Sequence, residues 1–449
     1  MHLGNISVRV GHAASISTAS TASLLVCGGN RSLTNLAPLG GTPSSLCGVV
    51  STNQHSAAAT AQNRSISSST CSDMRAYAAS SRGPLQRRLL HTSRSLTYNV
   101  LAIETSCDDT CAAIISRDRE KNTAALIDHV KITLDSSLQG GINPALATAH
   151  HHQSVGPLIR DVLKKHADTT IDLVCATRGP GLPGCLSSGV TFAKGLSLGL
   201  GVPYLGVHHM LAHLLTPRLF EAAEGYSGHK TEFPFLSLLV SGGHTMLVLS
   251  KSLYDHTVLC NTADVAIGDA LDKCARTLGF QGNMLGKVMD QYCRSADTPS
   301  SQWSIPMPVD NKNDIRYSFA AFHSYIGMKK KETQAETTPE LALEVQTAIF
   351  NHLMKKTKAA FNIYKKEIAS ATTLVCSGGV AANPRLREAL QELCAKYKLE
   401  AVFPDPYWCT DNAAMIGWAG IELHEDGYRS DLEGFQIPKW PLAEFEKEI

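Results

Sequence analysis

Long apolar runs are missing from this 449-residue chain. Nowhere do 18 or more apolar residues follow one another, so no transmembrane helix is expected. The softest stretch, Phe192 to Tyr204, is interrupted by Lys194 and several glycines. Paired cysteines are missing as well. Thirteen cysteines are scattered without a single CxxC. Those beyond the N-terminal region fit small, reduced, buried side chains better than a disulfide framework, and Cys107 with Cys111 is a weak ligand pair. Most unevenly distributed are the charges. Residues 1–97 hold eight Arg, no Lys and one acid, Asp73, a net charge of +7. The remainder carries 33 basic and 39 acidic residues. A basic head on a mildly acidic body reads as two functional units.

The head is rich in Ser, Thr and Ala, and its end, Arg87-Arg88-Leu89-Leu90-His91-Thr92-Ser93, looks like a processing sequence. That composition is expected of an organellar transit peptide, mitochondrial rather than plastid, entering along a membrane potential. The alternative is a disordered tail without an address, since such a segment cannot bury a core.

At 449 residues the chain has room for two or three domains. The body opens on an apolar run, Tyr98 to Ile103, followed by the polar turn Glu104 to Thr110 and a second strand from Cys111 to Ile115. The same grammar returns at Phe235 to Val240, Ser241-Gly242-Gly243-His244-Thr245 and Met246 to Leu249. Two strand–turn–strand units of this kind point to an internal duplication, each hairpin opening an α/β half whose turn faces a shared cleft. A buried strand is expected at Ile171 to Ala176, with helices over Ser188–Leu200, about Pro339–Glu367 and Arg385–Lys396. Strands alternating with helices make the class α/β.

Chemistry-bearing residues fall at the ends of these elements. His209 and His213 stand four apart, on one face of a helix, where both imidazoles reach one metal ion. Alone, such a pair is more often packed or surface than ligating. Asp411 is the candidate third ligand, and His-His-carboxylate with open positions is a plausible catalytic set. A metalloprotease of the HExxH kind would carry its general base after the first histidine; that residue is Met210, which excludes it. Ser241-Gly242-Gly243 and Ser377-Gly378-Gly379 suit close approach of backbone N–H groups to a phosphate at a strand-to-helix turn. Asp272 is either a partner for ribose hydroxyls or an ordinary helix acid. Asn383 is either a base or ribose contact or a cap residue. Lysine clusters at 329–331, 355–358 and 365–366 are either phosphate contacts or solvated helix faces.

The motifs in order resemble the tRNA threonylcarbamoyladenosine transferase family, TsaD-like proteins. They are IETSCDDT at 103–110, TRGPGL at 177–182, FAKGL at 192–196, HHMLAH at 208–213, LLVSGGHT at 238–245, SGGVAANPRLR at 377–387 and CTDNAAMI at 409–416. The leader and the SCDDT form are similar to the mitochondrial branch.

The resemblance implies a duplicated actin/sugar-kinase/heat-shock-ATPase-like fold with two lobes around a nucleotide cleft. Residues 1–97 are then the leader, 98–232 the first lobe, 233–430 the second and 431–449 a C-terminal segment. It implies transfer of a threonylcarbamoyl group from threonylcarbamoyl-AMP to N6 of adenosine 37 in tRNAs reading ANN codons. By position, His209, His213 and Asp411 hold one divalent metal ion per subunit, Zn, Fe or Mg. Leu239, Val240, Ser241, Gly242, Gly243, Asp272, Gly286 and Asn383 hold the adenylate, and Asp108 is the catalytic carboxylate. The partners implied are tRNA, a separate synthase that makes the donor, and a second copy of the chain in a homodimer, all in the mitochondrial matrix. The sequence departs from the family pattern at Ala145, Ala149, Leu211, Leu285 and His323. Those departures motivate a second reading, a nucleotide-binding regulatory protein with weak or no transfer. A kinase of the same fold is a third.

Overall fold

The computed structural model describes residues 96–136, 141–282, 284–309, 311 and 314–446. Residues 1–95 of the expected leader, with Cys27, Cys47 and Cys71, and Gly140 lie outside the described residues; Thr97, expected to end the leader, is the first residue of β1.

Two five-stranded sheets carry the chain. In the first, β1 (Thr97–Glu104), β2 (Asp109–Asp118) and β3 (Thr123–Thr133) are antiparallel neighbours, while β4 (Leu173–Gly179) and β5 (Tyr204–His208) extend the other side of β1 in parallel, giving the order β3-β2-β1-β4-β5. The second contains β6 (Phe235–Val240), β7 (Thr245–Ser250), β8 (His256–Asn261), β9 (Thr373–Ser377) and β10 (Glu400–Val402), in the order β10-β9-β6-β7-β8. Read outward from each hairpin, the two orders are the same. Val100 lies between Ile115 and Leu173, as Leu236 lies between Leu249 and Leu374. The central strands are apolar on both faces because both faces are covered. The duplicated two-lobe α/β architecture expected from the two hairpins is present.

Helices α1 (Pro144–Lys165) and α2 (Pro183–Leu200) cover one face of the first sheet, burying Val155, Ile159 and Val190 against Leu101, Ile103 and Ile114. On its other face lie α3 (His209–Glu221) and α9 (Ala413–Glu425). Their core also takes in Phe235, Leu239, Val248 and Val375, so α3 and α9 are packed between the two sheets. Around the second sheet stand α4 (Ile267–Leu278), α5 (Leu285–Cys293), α6 (Ala320–Thr333), α7 (Pro339–Ile363) and α8 (Pro384–Tyr397). Several helices begin with proline after a polar cap: Asn143-Pro144, Thr338-Pro339 and Asn383-Pro384. Proline supplies the helical φ where its missing N–H costs nothing, and the cap side chain satisfies an orphan amide.

The expected lobe limits need one correction. α9 falls within 233–430, yet it packs on the first sheet, because its apolar residues, Ala413 to Ile416 among them, complete the core beneath β1 and β2. The C-terminal segment likewise returns to the first lobe, where the Ile437 amide donates to the Arg178 carbonyl. Among the described residues no helix is long and apolar enough to cross a membrane. The ten described cysteines are unpaired, and all but Cys107 are buried.

Candidate active site and metal centre

β5 ends at His208 and α3 starts at His209, so the sheet edge delivers the first turn of the helix directly into the space between the lobes. His209 and His213 are buried on α3 with ring centroids 4.7 Å apart. Asp411 arrives from the loop between the 3-10 turn Pro406–Cys409 and α9. Its Oδ1 lies 3.1 Å from His213 Nε2 and 3.6 Å from His209 Nε2. One ligand atom from each residue falls within 4.8 Å of the others. Two imidazole nitrogens and one carboxylate oxygen, spaced this closely and two of them buried, fit a divalent cation with room for exogenous ligands.

Glu104, at the end of β1, is fully buried and was not singled out by sequence. It accepts hydrogen bonds from the Ser106 amide (2.6 Å) and from the Thr177 hydroxyl, and its Oε2 lies 3.4 Å from His209 Nδ1. A proton on Nδ1 directs Nε2 toward Asp411. Burial alone would lower the His209 pKa, but the Asp411 and Glu104 charges outweigh it and raise it to about 9. Burial pushes the two carboxylates up, yet His209 holds both below their usual range. His213 is lowered, first by burial and then by the charge on His209. Its Nδ1 has no hydrogen-bond partner among the described residues.

Asp108 sits half-buried in the β1–β2 turn. Burial, with the charges of Asp109 and Asp411, raises its pKa to about 6. The turn is fastened from two sides. His151, on α1, places Nδ1 2.7 Å from the Thr110 hydroxyl and Nε2 2.9 Å from the Cys107 carbonyl. Lys131, on β3, donates to Asp109 (2.8 Å) and to Thr410 Oγ1 (3.1 Å), tying the acid turn to the Asp411 loop. Neither His151 nor Lys131 stands out in the sequence, because only β3 and α1 bring them here.

The expected adenylate residues come from the second lobe. Leu239 and Val240 are core residues of β6, so only their backbone is available to a ligand. Ser241-Gly242-Gly243 turns between the antiparallel strands β6 and β7, as the hairpin reading expected, and not from strand to helix, as the phosphate reading of the same glycines supposed. The N-terminus of α4 is nevertheless brought against the turn, with the Gly268 amide donating to Ser241 O at 3.1 Å. A Cβ on Gly268 would lie 2.8 Å from both Gly242 N and Ser241 O, so only glycine permits that approach. Gly242 and Gly243 are exposed with open space around them. Gly378 has φ +96°, and a Cβ there would meet Val240 O at 2.4 Å. Asp272 accepts from the Gly286 amide at 2.6 Å, and the Asn383 side-chain amide donates to Asp290 at 2.7 Å. Asn383 also caps α8. Asp290, missed in the sequence, therefore supports Asn383, and it lies one turn after Gly286 on α5. Thr410 lies close to the second glycine turn: a Cβ on Gly379 would be 3.7 Å from its Cγ2.

The lysine clusters divide. Lys356 is buried and donates to the carbonyls of Val309 and Asp314, so it serves the fold. Lys329 pairs with Glu332, and Lys330 donates to Ala335 O. Of the departures, Leu211 and Leu285 are core residues, while Ala145, Ala149 and His323 are exposed.

Comparison with known proteins gives the family. The TsaD model, described as tRNA N6-adenosine threonylcarbamoyltransferase, matches residues 126–418. The chain is 34% identical over 369 residues to the mitochondrial tRNA N6-adenosine threonylcarbamoyltransferase of Schizosaccharomyces pombe, spanning 77% of this chain and 87% of that one. It is 34% identical over 350 residues to the tRNA N6-adenosine threonylcarbamoyltransferase of Pelagibacter ubique, spanning 76% of this chain and 94% of that one. Among solved structures, full-length HypF in the phosphate- and nucleotide-bound form is similar with a TM-score of 0.48 at 11% identity, over 75% of this chain and 57% of that one. The chain belongs to the tRNA N6-adenosine threonylcarbamoyltransferase family.

Proposed function

We propose that this protein transfers the threonylcarbamoyl group of threonylcarbamoyl-AMP to N6 of adenosine 37 in ANN-reading tRNAs of the mitochondrial matrix, using one divalent cation per subunit. The observation that carries this reading is the clustering of His209, His213 and Asp411 beside the second lobe's turns: their charges act on His244 of the Ser241 turn, and Thr410, next to Asp411, lies beside Gly379. A cation held there by those three side chains would supply Lewis-acid polarisation of the donor's carbamoyl-phosphate end.

The chain's own residues supply the rest. Backbone of Leu239 to Gly243, with Asp272, Gly286 and Asn383, holds the adenylate, and Asp290 braces Asn383. The adenosine N6 attacks the carbamoyl carbon, the carbon–oxygen bond to the phosphate breaks, and AMP leaves with the electron pair. Asp108 takes the proton from N6, a role suited to a carboxylate whose pKa stands near the working pH. Most of the acceleration comes from holding donor and amine together.

The donor comes from a separate synthase, and the working form is a homodimer. Residues 1–97 act as the import signal. Deleting the protein should remove the modification from ANN-reading mitochondrial tRNAs while cytosolic tRNAs keep it. Unchanged modification in mitochondrial tRNA contradicts the assignment.

A further inference from the structure

His208 is fully buried beside the metal ligands, yet it faces away from them. Its Nδ1 accepts from the amides of Met210 (3.2 Å) and Leu211 (3.4 Å), capping α3. Two N–H donors on Nδ1 require that nitrogen to be bare, so the ring proton sits on Nε2. Nε2 lies 3.1 Å from the carbonyl of Trp440. Trp440 belongs to the C-terminal segment, which crosses the ends of β4 and β5. The Ile437 amide donates to Arg178 O (2.8 Å), the Gly181 amide to Pro438 O (3.2 Å), and the Gly206 amide to Ser430 Oγ (3.0 Å). Lys194 donates to Leu432 O at 2.8 Å. The Trp440 and Phe445 rings pack on the His208 ring at 4.7 and 5.5 Å.

We propose that residues 428–446 form a strap that sets the position of the metal-binding histidines through His208. The strap fixes the His208 tautomer, and the tautomer fixes the cap. The cap holds the first turn of α3, which begins at His209. His208 is thus a positioning residue, and the strap gives the far C-terminus a role in cation affinity. This rests on reading His209, His213 and Asp411 as a cation site.

The test is titration of the purified protein with Co(II), followed by absorbance, with hydrogen exchange on the metal-free protein. His209→Ala is the control for the site. His208→Ala removes cap and link. His208→Asn retains a capping oxygen but loses the link, and Ile437→Pro removes the strap's amide donor to Arg178. Wild type should bind and His209→Ala should not. His208→Ala should bind about 10–100-fold more weakly, the range for partners that orient a ligand. His208→Asn and Ile437→Pro should each weaken binding about tenfold or more, within the same range. In Ile437→Pro, exchange at Met210 and Leu211 should rise while α9 stays protected; a rise throughout the chain means general destabilisation and overturns the proposal. Wild-type affinity in both His208→Asn and Ile437→Pro leaves the cation site standing and overturns the strap. Wild type that binds no better than His209→Ala overturns the cation site and the strap with it.

Discussion

Glu104 and His209 meet in the core from strands and helices 105 residues apart, the carboxylate Oε2 3.4 Å from the imidazole Nδ1. That contact determines which nitrogen of His209 points at Asp411. A carboxylate behind a ligating histidine fixes its tautomer and raises its basicity. Replacing Glu104 with Gln should therefore lower divalent-cation affinity about 10–100-fold with the fold intact. Calorimetric titration checks this. Affinity equal to wild type means that Glu104 serves only packing.

Asp108 gives a pH signature. If it accepts the N6 proton it must be ionised, so transfer from preformed donor should rise with pH, with a midpoint near its pKa of about 6. Asp108→Asn should be slow at every pH. Stability runs the opposite way. The folded pKa is raised above the ordinary 3.8, so the group's contribution is fully present below that value and lost as pH rises through about 6. At pH 7 Asp108→Asn should be more stable than wild type by on the order of 1–2 kcal/mol. A thermal melt reads this. A variant both slow and destabilised speaks for a structural role.

His151 bridges Cys107 and Thr110, the two residues flanking the pair of acids. Removing the bridge with His151→Ala should loosen the turn without touching the adenylate contacts. The expected result is a kcat lower by about tenfold or more, since misplacing a reacting group is costly, with KM for the donor little changed. A rise in KM alone contradicts the assignment.

Glycine substitutions separate close approach from open space. Gly268→Ala puts a Cβ 2.8 Å from backbone atoms of the Ser241 turn, so it should raise KM for the donor severalfold. Gly378→Ala, strained by φ +96° and by the Val240 carbonyl at 2.4 Å, should cost about 1–3 kcal/mol of stability. Gly243→Ala meets nothing within 4 Å in the protein, so its melting temperature should match wild type. Donor KM measured by steady-state transfer checks the first variant, and chemical and thermal denaturation check the other two.

Much of this architecture was legible in the sequence because the signals were local. Apolar runs on either side of polar turns gave both hairpins, and Asn383 before Pro384 marked the start of α8. The HxxxH spacing placed His209 and His213 on one helical face. β3 was not legible: it is an edge strand with a mixed burial pattern, although it carries Lys131 and Thr133 to Asp109. α1 was hidden by Gly156-Pro157, a pair that argues against a helix and is nonetheless inside one. Glu104, His151 and Asp290 escaped for a different reason. Each acts through a partner far along the chain, and no periodicity announces such a pairing. α9 was assigned to the wrong lobe because sequence order says nothing about a chain that crosses back.

The most direct measurement is transfer of labelled threonine to an ANN-decoding tRNA transcript. It uses protein starting near residue 95, a synthase that makes threonylcarbamoyl-AMP, and parallel His209→Ala and Asp411→Asn variants. Label entering tRNA with wild type and lost in both variants is the result expected. Intact tRNA left unlabelled by wild type, with the donor shown to be present, contradicts the proposed transfer.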